Sequence, residues 1–458
     1  MSKLYLQNIV DDISFENLPA KWQGFDLARF SKDKTLFDFQ KQGLQNALKV
    51  LWLYFRDKKE DKQNFFQQYQ ANGLEENFDY SLSRDRKTAK YLLEYDKDYP
   101  VIDKKISFAH FTNRMSFWMA TGSGKTLIIV KLIELLGKLI TEKELPEQDI
   151  LFLAHRDDLL DQFKAHVEEF NSFNFDTKIN LKNLRDYESI KRENALPFAK
   201  NEITVFYYRS DLISDEHKEK IVNFQNYDNG RRWYILLDEA HKGDKEDSKR
   251  QVLYSILSRN GFLFNFSATF TDPRDFATCA FNFNLSKFVE EGYGKHIYVS
   301  SAEISGFRDQ TDFSPIEKQK IVLKTLLLLT YINKYFEKIR GINNSLYHRP
   351  LLLTLVNSVN VEEADLELFF RELEKVARNE IRADLLIEAK EELIQEFREN
   401  PKFSPFEEDL DISVDEDLII KLDYKDILKY VLNASTPGKI EVLKMKAISG
   451  ESIAMILT

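Results

Sequence analysis

The chain has 458 residues, of which 43% are hydrophobic and 31% are charged, a balance typical of folded globular proteins. This length predicts two or three domains. The single cysteine, Cys279, excludes an internal disulfide framework and a multi-cysteine zinc site, and it favours a reducing, cytoplasmic location. No apolar stretch has the length of a signal peptide core or a membrane span, so we expect no membrane association.

The net charge of −10 is unevenly distributed along the chain. Residues 361–425 contain 21 acidic and 9 basic side chains, a local net charge of −12, which leaves about +2 for the remainder. A near-neutral body can still contain a local basic groove, so the composition leaves nucleic acid open as a partner. We interpret the acidic segment as a solvated helical insertion in preference to a docking surface for a partner.

In chain order, the first element is an amphipathic helix over Leu36–Phe55, where apolar residues recur at helical spacing. Residues 56–106 are charged and aromatic and predict helical insertions with surface loops. From residue 107, short apolar runs alternate with helical stretches, which predicts an α/β fold with a parallel sheet and helices on both faces. The predicted strands are Ser116–Met119, Ile150–Leu153, Ile203–Phe206, Trp233–Leu237 and Phe262–Phe266, and the predicted helices are Thr126–Ile140, Asp157–Phe170 and Ser248–Leu257.

A second unit is predicted after a helix at Glu317–Ile339. The run Pro350–Val359 predicts a buried strand, and apolar spacing within 361–400 predicts an amphipathic helix or a helix pair. The expected domains are an N-terminal helical region, a first ATPase domain, a linker helix and a partial second α/β domain with the acidic insertion. Their predicted bounds are 1–106, 107–310, 311–348 and 349–458.

The strongest motif is Met119-Ala-Thr-Gly-Ser-Gly-Lys-Thr126, which follows a predicted strand and opens a predicted helix. It matches the phosphate-loop pattern except that Met119 replaces the first glycine. Glycines let successive N–H groups point at phosphate oxygens, the lysine binds the β and γ phosphates, and the final hydroxyl is an expected magnesium ligand. The predicted ATP-binding residues of the loop are Thr121, Gly122, Ser123, Gly124, Lys125 and Thr126.

A second motif, Asp238-Glu-Ala-His241, ends an apolar strand 113 residues after Lys125. Asp238 is expected to hold Mg²⁺, and Glu239 is expected to take a proton from the attacking water. His241 is predicted to relay the nucleotide state to neighbouring segments. Lys125, Asp238 and Glu239 are therefore the predicted catalytic residues, with Thr126 and Asp238 as metal ligands and ATP and Mg²⁺ as cofactors.

These two motifs resemble those of the DEAH-box members of superfamily 2 helicases, and further segments follow in the same order. The resemblance implies a RecA-like fold, with Gln40 reading the adenine edge and Ser267 and Thr269 coupling hydrolysis to movement. It also implies that Arg156 and, by a weaker match, Arg209 contact the nucleic-acid backbone.

Within this superfamily the chain is most similar to the Res subunit of type III restriction enzymes. The similar segments are FWMATGSGKT, FLAHRDDLLDQF and LLTLVNSVN, together with the long insertion between Gln40 and the phosphate loop. This resemblance implies an ATP-dependent motor on duplex DNA, a methyltransferase partner and a nuclease domain at the far C-terminus of the family's subunit.

Two patterns of that group are not found after Arg349, namely motif V and the Q-x-x-G-R-x-x-R segment of motif VI. We therefore expect an N-terminal piece of a longer protein that binds nucleotide and hydrolyses it slowly, since an arginine finger contributes roughly 10³ to 10⁵ in rate. Two alternatives remain open: an RNA-directed DEAH helicase, and a nucleotide-gated clamp on nucleic acid that unwinds nothing.

Overall fold

The computed structural model describes residues 3–75, 78–82, 91–95, 97–193, 202–214, 221–240, 249–294, 315–342, 348–353, 365–399, 414–447 and 450–457. The chain divides into two compact units, Met1–Lys295 and His296–Thr458. This division does not test the four domain bounds expected from the sequence, and they remain predictions. Within the described residues, no helix combines the length and apolarity that a membrane span needs.

The first unit mixes helices and strands along its whole length. Its helices are α1 (Tyr5–Asp11), α2 (Ala20–Gln23), α3 (Asp38–Trp52, continued by a π turn over Leu53–Asp57), α4 (Lys62–Ala71), α5 (Lys125–Thr141), α6 (Asp157–Phe173), α7 (Tyr187–Glu193), α8 (Lys249–Leu257), α9 (Pro273–Ala277) and α10 (Leu285–Glu290). Its strands are β1 (Tyr80–Ser81), β2 (Val101–Ile102), β3 (Lys105–Ile106), β4 (Arg114–Met119), β5 (Asp149–Ala154), β6 (Lys178–Asn183), β7 (Glu202–Arg209), β8 (Ile213–Ser214), β9 (Val222–Asn223), β10 (Trp233–Asp238), β11 (Phe262–Ser267) and β12 (Cys279–Phe283).

Seven of these strands form one parallel sheet in the order β12-β4-β11-β10-β5-β7-β6. Strands β5, β10 and β11 are buried at every position, which requires a cover on both faces of the sheet. The five strands and three helices predicted around the two motifs are confirmed, and β6 and β12 are two further strands.

The N-terminal helices pack against the sheet edge formed by β12. The amide of Asn46 on α3 donates to the carbonyl of Ala280 at 2.8 Å. Gly43 on the same helix lies so close to β12 that a Cβ there would sit 3.1 Å from the ring of Phe281. One continuous hydrophobic core therefore extends from α1 to β12.

The second unit is helical with a terminal hairpin. It contains α11 (Pro315–Ile342), α12 (Asp365–Ala377), α13 (Ala383–Glu399), α14 (Glu416–Lys421), α15 (Tyr424–Val431), β13 (Ile440–Ala447) and β14 (Gly450–Leu457). The predicted helix at Glu317–Ile339 and the predicted helix pair within 361–400 are present as α11, α12 and α13, and the linker role of the first helix stays a prediction. Strands β13 and β14 pair antiparallel. The second RecA-like lobe expected from the sequence stays a prediction.

The predicted strand at Pro350–Val359 is wrong over its described part. Residues 348–353 have no regular secondary structure, and Leu351 and Leu353 are 87% and 75% exposed. An apolar run becomes a buried strand only where neighbouring strands pair with it, and none pairs with these residues among the described ones. The rest of that run, residues 354–359, lies outside the described residues.

Candidate nucleotide-binding site

Three motif segments meet at the carboxyl edge of the sheet. The phosphate loop follows β4, Asp238 is the last residue of β10, and Ser267 is the last residue of β11, which lies between those two strands. In open parallel sheets this edge is where ligands bind. The sheet order therefore brings together residues that are more than one hundred positions apart in sequence.

Two glycines give the loop its shape. Gly122 and Gly124 have φ angles of +84° and +79°, in the left-handed region that residues with a side chain rarely adopt. Gly124 is the N-cap of α5 and has no side chain to accept hydrogen bonds from the first turn. The free N–H groups at this helix end are suited to an anion, as the phosphate-loop prediction requires.

Gln40 is in contact with this loop. Its Nε2 donates to the Ser123 carbonyl at 2.9 Å, and its Oε1 accepts from the Phe37 N–H at 2.9 Å. A Cβ on Gly124 would approach the same Nε2 to 2.5 Å. Gln40, which is 2% exposed, therefore joins α3 to the loop, and its expected contact with adenine stays a prediction.

Lys125 lies in the first turn of α5, with its ammonium turned back toward the loop. Its Nζ donates to the carbonyls of Ala120 and Met119 at 3.3 and 3.4 Å, and the side chain is buried. Both bonds are long, so phosphate oxygens would be stronger partners for this cation. Thr126 follows in the same turn and is also buried.

Asp238 is 3% exposed, and its burial raises its pKa to about 6, against the opposing influence of the Lys125 charge. One carboxylate oxygen accepts from the N–H of Glu239 at 3.0 Å. Glu239 has a φ of +56°, so the chain turns sharply after the strand. Backbone strain of this kind is concentrated at functional sites.

The residues present fit a hydrated magnesium ion shared with a nucleotide. Asp238 supplies a carboxylate whose pKa is raised by burial, and Thr126 supplies a hydroxyl. Among the described residues no group of three His, Cys, Asp or Glu side chains could hold a metal by itself. Mg²⁺ commonly keeps several waters and takes ligands from substrate phosphates, which suits this sparse set.

The segment after β11 is fixed by its own hydrogen bonds. The Ser267 hydroxyl donates to the Thr269 carbonyl at 2.7 Å and accepts from the Thr269 N–H at 3.1 Å. Trp118 Nε1, on the strand that leads into the phosphate loop, donates to the Ala268 carbonyl at 2.9 Å. This segment is thus tied to the strand before the loop. His241 lies outside the described residues, and its relay role stays a prediction.

The two arginines predicted to contact nucleic acid lie at, or just after, the carboxyl ends of the neighbouring strands β7 and β5. Arg209 ends β7, next to Ala154 at the end of β5, and Arg156 is the N-cap of α6. Arg209 donates to Asp157 at 2.7 Å and binds Asp211 through two nitrogens, whereas Arg156 is exposed and pairs with Asp158 at 2.9 Å.

Beside these arginines is a groove of about 320 Å³ that the sequence did not indicate. Lys164 lies 4.9 Å from the centre of the Tyr207 ring, and the Arg185 Nε donates to the Tyr208 hydroxyl at 2.9 Å. Cations interleaved with aromatic rings are a common nucleic-acid-binding surface. The only sequence signal for this groove was the run Tyr207-Tyr208-Arg209 at the end of β7. The cations that contact these tyrosines, Lys164 and Arg185, come from α6 and from the segment after β6.

An exposed aromatic pair next to Gln40 was also missed. The rings of Phe37 and Tyr293 lie 5.3 Å apart and are 55% and 39% exposed. Both rest on Phe39, which stacks on Phe283 at 4.1 Å, and the Phe283 carbonyl accepts from the N–H of Ala120 in the phosphate loop. Phe39 and Phe283 thus connect the two exposed rings to the phosphate loop.

Residues 66–272 match the family described as type III restriction enzyme, res subunit. This match covers 207 of the 458 residues. The matched segment contains the phosphate loop, Asp238, Glu239 and the segment at Ser267, and it confirms the resemblance drawn from the sequence. The match supports an ATP-dependent, helicase-type function.

One solved structure with similarity is the UvsW helicase from bacteriophage T4. The match has 15% sequence identity and a TM-score of 0.22, and it covers 51% of this chain and 78% of that chain. No curated protein sequence matches the chain.

Proposed function

We propose that the chain is an ATP-dependent motor subunit of a type III-like restriction or defence system that acts on duplex DNA. The observation that carries this proposal is the meeting of the phosphate loop with Asp238 and Glu239 at one sheet edge, within the segment that matches the res-subunit family. A methyltransferase subunit is the proposed partner, and the cytoplasm is the proposed location.

In this proposal the ATP phosphates bind the N–H groups of the loop and the Lys125 ammonium. Bound Mg²⁺, next to Thr126 and Asp238, would neutralise charge on the β and γ phosphates. Glu239 is half-buried and follows directly after Asp238, so it is the proposed general base that takes a proton from the attacking water.

The nucleotide base is proposed to stack on the exposed rings of Phe37 and Tyr293. An aromatic face contributes about 1–3 kcal/mol to base stacking and tolerates any base. Gln40 is the proposed group that distinguishes adenine from other bases. Its amide would exchange its present hydrogen bonds, to Ser123 and Phe37, for bonds to the adenine edge. Alanine at Phe37 or Tyr293 should therefore raise KM for ATP without changing the preference for ATP over GTP.

The nucleic-acid backbone is proposed to cross the groove beside Arg209. Lys164 and Arg185 supply positive charge there, and Tyr207 supplies a ring. Neutralising one phosphate contact should reduce the dependence of binding on salt, with little change in sequence preference.

A nucleotide-gated clamp that does not unwind its nucleic acid is the second candidate. The absence of motif VI after Arg349 favours it, because the arginine of that motif completes the catalytic site in the resembling group. Normal ATP turnover by the full-length protein without movement along DNA would support the clamp. An RNA-directed helicase is distinguished from both by the nucleic acid that stimulates turnover.

The deciding experiment is steady-state phosphate release with Mg²⁺ and ATP in the presence of duplex DNA, single-stranded DNA, RNA or no nucleic acid. Lys125→Ala provides the blank, and Glu239→Gln should bind ATP as tightly as the unchanged chain while releasing no phosphate. Stimulation by duplex DNA alone supports the proposal. Stimulation by RNA alone, or hydrolysis by Glu239→Gln at the unchanged rate, contradicts the proposed substrate or the proposed base.

A further inference from the structure

A second cavity lies at the amino edge of the parallel sheet, on the opposite edge from the phosphate loop. It has a volume of about 390 Å³. It is formed where α4 begins, before β4 and between α8 and β11. Its lining side chains include Tyr54, Glu60, Lys62, His110, Arg259 and Asn260.

Two cations of this cavity are held by backbone carbonyls instead of carboxylates. The Lys62 Nζ donates to the Arg259 carbonyl at 2.8 Å and to the His110 carbonyl at 3.4 Å. The Arg259 Nη2 donates to the Asp98 carbonyl at 3.1 Å. Across the described residues, neither of these half-buried cations forms an ion pair with Asp or Glu.

Arg259 also has an unused donor. Its Nε is buried and has no hydrogen-bond partner within the described part of the chain. Buried donors without partners are rare, and each calls for an explanation such as a bound ion. The central carbon of the guanidinium lies over the Tyr99 ring, 5.3 Å from the ring centre, so the ring and the Asp98 carbonyl both hold this side chain in place.

The basic groups also repel one another. Burial and the nearby charges of Arg259 and Arg114 hold the pKa of Lys62 well below its usual range. Burial and the charges of Arg259 and Lys62 lower the pKa of His110 to about 4, against the opposing charge of Asp79. A nearby anion would relieve this repulsion for all of these groups at once.

The two carboxylates at this cavity do not supply that anion. Asp61 is the N-cap of α4 and accepts from the N–H groups of Gln63 and Asn64 at 2.9 and 3.1 Å. Burial raises the pKa of Glu60, and the cation that opposes this rise is Arg232, not Lys62 or Arg259.

We infer that this cavity binds a phosphate group, free or carried by a small molecule, between the Arg259 guanidinium, the Lys62 ammonium and the His110 imidazole. A guanidinium presents paired N–H donors that match the oxygens of a phosphate. The site is separate from the phosphate loop, and the inference does not depend on the proposed motor function.

Binding is tested on the Lys125→Ala chain, so that the phosphate loop contributes as little as possible. Inorganic phosphate and glycerol phosphate are titrated by calorimetry against chloride at equal ionic strength. Adding Arg259→Gln should weaken binding about tenfold or more. Lys178→Gln, at an exposed position on the edge strand β6, is the matched loss of one charge and should leave binding unchanged. Tight binding of inorganic phosphate identifies the free ion as the ligand, and binding of glycerol phosphate alone identifies a carried phosphate.

The His110 imidazole gives a second readout in the otherwise unchanged chain. Its NMR signal, assigned with His110→Gln, should titrate at a higher pH when phosphate is present. This measurement applies even where Arg259→Gln reduces folding. The inference is overturned if neither phosphate compound binds the Lys125→Ala chain, or if binding is equal with and without Arg259→Gln while the His110 signal does not respond.

Discussion

At the scale of single residues, Asp238 shows how the site is arranged at a cost to stability. Its carboxyl group is buried, and desolvation is the first cause of the rise of its pKa from 3.8 to about 6. A carboxyl whose pKa is higher in the folded state destabilises the fold when it is ionised. This cost is absent below about pH 4, grows between the two pKa values and is complete above about pH 6.

Asp238→Asn should therefore stabilise the nucleotide-free protein at pH 7.5 by about 3 kcal/mol, because each unit of pKa shift corresponds to about 1.36 kcal/mol. At pH 5 the gain should fall to about half of that value. Urea unfolding at the two pH values measures both numbers. Asp176→Asn, at an exposed position, should change neither. Equal or lower stability of Asp238→Asn at pH 7.5 would show that the carboxylate is compensated in the folded protein.

Gly124 carries two constraints, and they can be separated. Alanine there meets both the left-handed φ of +79° and the Gln40 Nε2 at 2.5 Å, whereas Gly73 has a φ of +85° and open space around it. Gly73→Ala should cost about 1 kcal/mol of unfolding free energy from the backbone alone. Gly124→Ala should cost more and should weaken ATP binding.

The excess cost of Gly124→Ala should disappear when Gln40→Ala is also present, because the contact is then removed and the backbone cost remains. Chemical denaturation of the four variants and fluorescence titration with a nucleotide analogue measure these effects. An unchanged excess in the double variant would assign it to the loop backbone instead of Gln40.

How much of the site the sequence predicts depends on separation along the chain. The phosphate loop and the Asp238-Glu239 pair are runs of neighbouring residues, so their chemistry is visible in the sequence. The contact between Gln40 and Ser123 spans 83 positions, and the pairing of Phe37 with Tyr293 spans far more. Contacts of this kind are set by the order of strands in the sheet, which no local pattern encodes.

At the scale of elements, the two strands of the seven-stranded sheet that the sequence did not predict are those at its edges. β6 reads KINLKN and is largely half-exposed, and β12 is a short strand that contains an asparagine. β6 therefore lacks the continuous apolar run that identifies β5, β10 and β11, whereas β12 is buried at four of its five positions but is interrupted by Asn282 after three residues. The error at residues 350–353 is the reverse case, in which an apolar run has no described neighbour to pair with.

The close packing of α5 on β7 depends on one glycine. A Cβ at Gly137 would lie 2.2 Å from the Ile203 Cδ1, so the helix approaches the strand at the distance that glycine allows. Gly137→Ala should destabilise the protein by about 1–3 kcal/mol through overpacking, although alanine is the better helix former. Ile203→Val in the same chain should recover part of this loss, since it removes Cδ1, the nearer of the two atoms in conflict, and leaves the γ carbon at 2.5 Å.

The test is a double-mutant cycle measured by urea unfolding, with Gly341→Ala as the control. Gly341 also lies in a helix and has open space around it, so alanine there should be neutral or stabilising. A cycle with no coupling between positions 137 and 203 would mean that α5 moves away from β7 to accommodate the methyl group.

At the scale of the whole molecule, the two units have separate hydrophobic cores. The core of the first unit joins the N-terminal helices to the sheet, and the core of the second is built from α11 to α15. Ion pairs join two helices of the second unit. In the second unit, Lys320 and Lys324 on α11 pair with acidic residues of α13, and the distances are 2.6 Å to Glu392 and 2.5 Å to Glu396. The acidic segment therefore stabilises its own unit, at least in part, by pairing with α11.

The full chain should consequently unfold in two calorimetric transitions that respond to different conditions. A non-hydrolysable ATP analogue with Mg²⁺ should raise the transition of the first unit, since binding to the folded state stabilises it. Raising NaCl from 0.1 to about 1 M shortens the screening length from about 10 to about 3 Å, so it should lower the transition of the second unit, where each half-exposed pair contributes up to about 1 kcal/mol. Lys324→Met should lower that same transition at low salt and should reduce its response to salt. A single transition that shifts with both nucleotide and salt would show that the two units unfold together.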